Sequence, residues 1–141
     1  MSTLSPLRPR WLQKPLAAPA AVAGGALAAA ALVHVVDPNE SGNYPTCPFL
    51  ALTGRYCPGC GSLRALHALT NGDIGTAVGH NVLTVAAVPL LAYLWLSWTA
   101  RRARRAPRTS LADPRWLMAL AVLVVLFWIV RNLPFGAVLA P

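Results

Sequence analysis

Acidic side chains are nearly missing from this sequence: Asp37, Glu40, Asp73 and Asp113 are the four carboxylates in 141 residues. No paired carboxylates, Ser–His–Asp set, HExxH pair or phosphate-binding glycine loop is present, which argues against hydrolase and nucleotide-dependent chemistry. Charge of either sign is scarce, at 11% of residues, and three cysteines are too few for a disulfide-rich secreted scaffold. The length holds one domain at most, and no internal repeat is visible.

What is abundant is apolar surface. The chain is 56% hydrophobic, too apolar for a soluble domain of this size. The apolar residues gather into three runs of near membrane-spanning length. The expected architecture is an all-α polytopic membrane protein with about three transmembrane helices plus a short amphipathic or re-entrant helix. Its partition is a basic cytoplasmic tail (1–15), spans at 16–36, 81–100 and 116–133, a polar loop with a short helix (37–80), an arginine-rich connection (101–115) and a short tail (134–141).

The net charge of +8 points to topology rather than to nucleic acid. Arg8, Arg10 and Lys14 precede the first run, and Arg101, Arg102, Arg104, Arg105, Arg108 and Arg115 fill the connection between the second and third. Only Arg55, Arg64 and Arg131 fall on the other side. By the positive-inside rule this predicts a multi-pass membrane protein, N-terminus in the cytoplasm and loop 37–80 outside. No interleaved aromatics or recognition helix accompany the arginines, so no nucleic-acid partner is expected. The expected surroundings are the lipid bilayer and its anionic headgroups.

Along the first run, Ala17, Ala21, Gly25 and Ala29 form a small-residue stripe where a membrane-protein partner or second copy can approach closely. The run has features of a secretory signal, yet at about 21 residues it exceeds a usual signal core and reads as an uncleaved anchor. In the second run Pro89 predicts a kink, and Tyr93, Trp95 and Trp98 cluster as interfacial anchors. Asp113-Pro114 is an N-cap and first-turn pair for the third run. Arg131, at the end of that run, is expected to snorkel outward.

The polar loop concentrates the chemistry. Cys47 to Cys60 carries Pro48, Gly54, Pro58 and Gly59, so it cannot be one continuous helix. From Ser62, Leu63, Leu66 and Leu69 recur at helical spacing until Asn71-Gly72 stops the helix, and Asp73 caps the next. Cys47, Cys57 and Cys60 admit three readings. One is a metal knuckle, with zinc as a candidate ion and His80 or His34 as the fourth ligand. The second is a disulfide or thiol redox pair. The third is a tight structural turn. His67 lies about 10 Å along the helix from Cys60, too far to share a tetrahedral ion. Arg64 falls one helical turn after Cys60, and Asn81 is placed to bond the loop's backbone carbonyls.

The order Cys47-Pro48, Thr53-Gly54, Cys57-Pro58-Gly59-Cys60-Gly61, Arg64-Ala65, Leu69, Gly72-Asp73, Ala77 and Asn81 resembles bacterial membrane proteins of the domain-of-unknown-function family 2752. The resemblance covers about residues 46–90. It implies a small multi-spanning protein in which these positions are the signature, and it brings no established activity. The expected function is a non-enzymatic docking or accessory surface organised by metal or disulfide, with no catalytic residue. The contrasting expectation is an extracytoplasmic thiol–disulfide redox or metal-dependent membrane component.

Overall fold

A computed structural model describes residues 15–105 and 113–139. Most of the expected basic tail, including Arg8, Arg10 and Lys14, lies outside the described residues, as do Arg108 and the last two positions. Among the described residues there is no strand. The order is α1 (Ala17–Val35), α2 (Pro48–Thr53), α3 (Ser62–Thr70), α4 (Ile74–Ala103) and α5 (Pro114–Arg131), followed by a 3₁₀ segment over Pro134–Leu139. Helices α1, α4 and α5 are long and apolar enough to cross a membrane, and their apolar stretches are scarcely buried within the protein. The protein is therefore an all-α polytopic membrane protein in build.

Local chemistry sets the helix ends. Pro48 opens α2 at a position where its missing N–H is no loss. Gly54 closes α2 in the left-handed region at φ 68°, which a side chain would disfavour. Gly61, at φ 81°, repeats that geometry to turn the chain into α3. Where α3 ends, the N–H groups of Gly72 and Asp73 return to the Leu69 and Ala68 carbonyls at 3.1 and 2.9 Å. Asp73 then caps α4, accepting from the Thr76 N–H at 2.9 Å and its hydroxyl at 2.6 Å. Asp113 does the same for α5 through the Arg115 N–H at 2.9 Å, with Pro114 in the first turn.

The small core sits at the loop-side end of the bundle. Ala65 and Ala68 on one face of α3 pack against Ala77 of α4, with Leu69 and Val85 closing around them. Alanines at the crossing let the two helix backbones approach. The His67 Nδ1 donates to the Val33 carbonyl at 2.8 Å, tying α3 to the end of α1. At the other end, Trp95 Nε1 donates to the Pro19 carbonyl at 3.1 Å and links α4 to the start of α1.

Two expectations need correction. Within α4 the departure from helical dihedrals falls at Asn81 (φ −164°, ψ 100°), and Pro89 lies within regular helix. A proline removes one hydrogen bond, whereas at Asn81 the chain is held extended by side-chain bonds to another segment. Arg131 does not snorkel outward: it is 1% exposed and turned into the protein.

Candidate functional site

The site is the Cys-Pro-Gly-Cys turn and what grips it. The Cys60 N–H donates to the Cys57 carbonyl at 3.1 Å, and the Ser62 N–H to the Gly59 carbonyl at 3.0 Å, so the turn folds back on itself before entering α3. Inside this curl the Sγ atoms of Cys57 and Cys60 lie 2.9 Å apart, and the Cys57 N–H donates to the Cys60 sulfur at 3.2 Å. Cys47, immediately before α2, brings its thiol to 3.6 Å from the Cys57 sulfur. The three sulfurs all lie within 4.8 Å of one another. Three thiolates on one tetrahedral zinc, each about 2.3 Å from the ion, stand about 3.8 Å apart. The Cys47–Cys57 spacing of 3.6 Å lies close to that figure, and the Cys57–Cys60 spacing of 2.9 Å is shorter.

The thiols differ in environment. Cys60 is 7% exposed, and burial, reinforced by the hydrogen bond of its thiol with the Cys57 sulfur, pushes its pKa up to about 12. Cys47 is drawn below the ordinary thiol value, chiefly by the Leu50 backbone N–H in the first turn of α2. The cluster thus has a partly open side at Cys47 and Cys57 and a closed side at Cys60.

Two fully buried polar side chains clamp the turn from below. Asn81 is 1% exposed, and its Nδ2 donates to the Pro58 and Cys60 carbonyls at 2.9 and 3.0 Å. Its Oδ1 accepts from the Thr84 N–H at 3.1 Å, so the break in α4 caps its own continuation. Thr84 adds a hydroxyl bond to Ser62 at 2.8 Å. From α5, the Arg131 Nη1 donates to the Cys57, Pro58 and Cys60 carbonyls at 3.1, 3.3 and 3.3 Å, and Nη2 reaches Cys60 again at 3.3 Å. The guanidinium sits between the rings of Phe127 and Tyr56, 5.0 and 5.8 Å from their centroids. Asn132 forms a reciprocal pair with the Tyr56 backbone, accepting from its N–H and donating to its carbonyl, both at 2.9 Å.

Arg131, Asn132, Tyr56 and Thr84 are the contributors that sequence reasoning missed. The available signal was the polar pair Arg131-Asn132 closing an otherwise apolar run, since an ionisable residue at membrane depth marks a partnered position.

The other expected residues divide. Thr53 bonds the Phe49 carbonyl at 2.6 Å and receives the Arg55 N–H at 3.2 Å, finishing α2 beside Gly54. Gly72 and Asp73 form the α3–α4 joint, where the Asp73 pKa is lowered chiefly by the Thr76 hydroxyl. His34 contacts the Thr70 hydroxyl at 3.3 Å. Neither His34 nor His80 falls in the group that gathers the three cysteines. Above the sulfurs opens a cleft of about 550 Å³, lined by all three cysteines, Glu40, Tyr44 and Arg64.

Fold and site together define a class: a polytopic helical membrane protein in which one three-cysteine turn gathers the ends of the helices. Residues 47–95 match the sequence model of a family described as a protein of unknown function (DUF2752), the family that the motif resembles. The match opens on Cys47 and takes in the turn, α3, Asp73 and Asn81. No curated protein and no solved structure matches the chain.

Proposed function

We propose that Cys47, Cys57 and Cys60 form a metal knuckle for a divalent thiophilic ion, zinc by its ligand chemistry, and that the ion locks the loop into a docking surface on the membrane. The observation that carries this is Arg131. Its guanidinium is buried, keeps its charge at any physiological pH, and among the described residues makes no ion pair with a carboxylate. Its Nε has no hydrogen-bond partner among those residues either. A buried charge without a counter-charge is costly, and the groups wrapped over this one are the two cysteines whose carbonyls it holds. Three thiolates, one divalent cation and one guanidinium sum to zero. Ion binding drives the thiols to release their protons, including the otherwise protonated Cys60, so it supplies the anion that Arg131 lacks.

The distribution of arginines supports an extracytoplasmic loop with the N-terminus inside. The small-residue stripe of α1 is exposed at Ala21, Gly25 and Ala29, which leaves that face open to a second copy or another membrane helix.

A second reading rests on the 2.9 Å approach of Cys57 and Cys60: exchange with a partner disulfide, which leaves as a dithiol, oxidises the two to a disulfide, with Cys47 poised to attack Cys57, giving a thiol–disulfide redox component. Metal analysis of the full chain purified without added reductant, with thiol alkylation before and after reduction, separates the two. The metal reading expects about one zinc per chain, lost in Cys60→Ser. Metal-free protein in which two thiols react only after reduction would sink it in favour of the redox pair.

A further inference from the structure

The metal reading leaves a coordination position open, because among the described residues three cysteines gather without a histidine and a structural zinc takes four ligands. We propose that this position, at the floor of the 550 Å³ cleft, receives the sulfur of a small amino-acid thiol of the cysteine type. The inference rests on the proposed metal site and names what that site would take.

Three features define the ligand. The floor is sulfur-rich, and a soft donor completes a thiolate set on zinc. The cleft walls carry one charge of each sign. Arg64, exposed on α3, supplies a cation; Glu40 supplies an anion, anchored by the Asn43 amide at 3.2 Å. Neither makes an ion pair with another described residue. A lining that carries a guanidinium and a carboxylate outside any ion pair matches an α-carboxylate and an α-ammonium, and a metal held by the three cysteines of the same cleft matches a side-chain thiol. The space also fits: about 550 Å³ falls within the range of small-molecule sites. Only Cys47 and Cys57 are partly exposed toward it, so the ligand approaches from their side and not through Cys60.

Binding would be an exchange at the ion, in which the incoming thiol gives its proton to solvent and takes the place of a water with no change in oxidation state; the one negative charge it adds beyond the balance with Arg131 falls on the partly exposed side at Cys47 and Cys57.

The test uses the full chain in detergent, with cobalt(II) in place of zinc as a spectroscopic reporter and free cysteine as the probe. Cysteine is expected to raise the sulfur-to-cobalt charge-transfer intensity by about a third, as three thiolates become four. Serine is expected to leave it unchanged. Arg64→Gln is expected to weaken cysteine binding about tenfold while leaving cysteamine, which lacks the carboxylate, unaffected. Glu40→Gln is expected to weaken cysteine similarly and to spare 3-mercaptopropionate, which lacks the amine. A cobalt spectrum that does not respond to cysteine overturns the proposal, as does equal binding of cysteine by both variants and the parent chain. Failure of the chain to hold cobalt at all removes the metal site itself, an outcome distinct from a loaded but unresponsive one.

Discussion

Arg131 shows how a single residue can decide what a site is for. A snorkelling arginine would give its charge to water and leave the Cys-Pro-Gly-Cys turn to hold itself. Instead the guanidinium gives up solvent to serve three carbonyls of that turn, and its charge waits for an anion. Replacing it with methionine keeps the apolar contacts with Phe127 and Tyr56 but removes every charge-assisted bond to the turn, leaving the Cys57 carbonyl to the Cys60 N–H and the other two to Asn81. The expected loss is on the order of 3 kcal/mol, read as a lower melting temperature in detergent. Zinc affinity is expected to fall about 10–100-fold, because the complex then carries an uncompensated negative charge. Arg131→Lys separates the two effects: it retains the charge and should recover most of the metal affinity, while its single ammonium cannot span the carbonyls and should recover little of the stability. Unchanged zinc affinity in Arg131→Met would show that the guanidinium is scaffold alone.

At the scale of the elements, α4 carries the decisive irregularity. Asn81 leaves helical geometry so that its amide can reach the turn while its carbonyl oxygen restarts the helix at Thr84. Asn81→Ala removes both functions. Alanine favours continuous helix, so the expected result is a straighter α4, a turn detached from it, and destabilisation of about 1–3 kcal/mol. Faster hydrogen exchange at the Cys60 and Ser62 amides, with protection retained in the middle of α4, would report this; uniform loss along the whole helix would contradict it. Much at this scale was legible in the sequence, because caps and breakers act over a few residues. Asp73, Asp113, Gly54 and the limits of α3 follow from local chemistry, and the three apolar runs follow from bilayer thickness. The break at Asn81 and the inward turn of Arg131 were not legible in the same way. Asn81 was expected to bond the loop carbonyls, but not to break its own helix in doing so; the pairing of Arg131 with Cys57, distant in sequence, is carried by no local pattern. The meeting of the three cysteines lay between: Cys57 and Cys60 share a turn, but Cys47 joins them only because α2 folds back.

For the molecule as a whole, the turn is the hub on which the helix ends converge. The end of α1 is tied to α3 through Val33 and His67, the start of α4 through Asn81 and Thr84, and the end of α5 through Arg131 and Asn132. These contacts require α1, α4 and α5 to alternate in direction, which puts Arg101, Arg102, Arg104 and Arg105 at the far end of α4 from the turn. Arg102 there lies 5.6 Å from the Trp98 ring centroid, a cation–aromatic pair of the kind that anchors span ends at an interface. Because the rule for topology counts arginines near the ends of spans, that far end should face the cytoplasm. Two exposed positions test this, Ser41 beside the hub and Ala103 at the far end. A membrane-impermeant thiol reagent should label Ser41→Cys in intact cells and Ala103→Cys only after permeabilisation, each measured above the labelling of the parent chain. Converting Arg101, Arg102, Arg104 and Arg105 to serine should blur the distinction, with both positions labelled in part, since the remaining basic residues hold the orientation less strongly. The reverse pattern in the parent background would place the cysteine turn inside the cell, where a persistent disulfide is disfavoured and the redox reading would lose its footing, while the charge balance between Arg131 and a metal–thiolate cluster would stand unaltered.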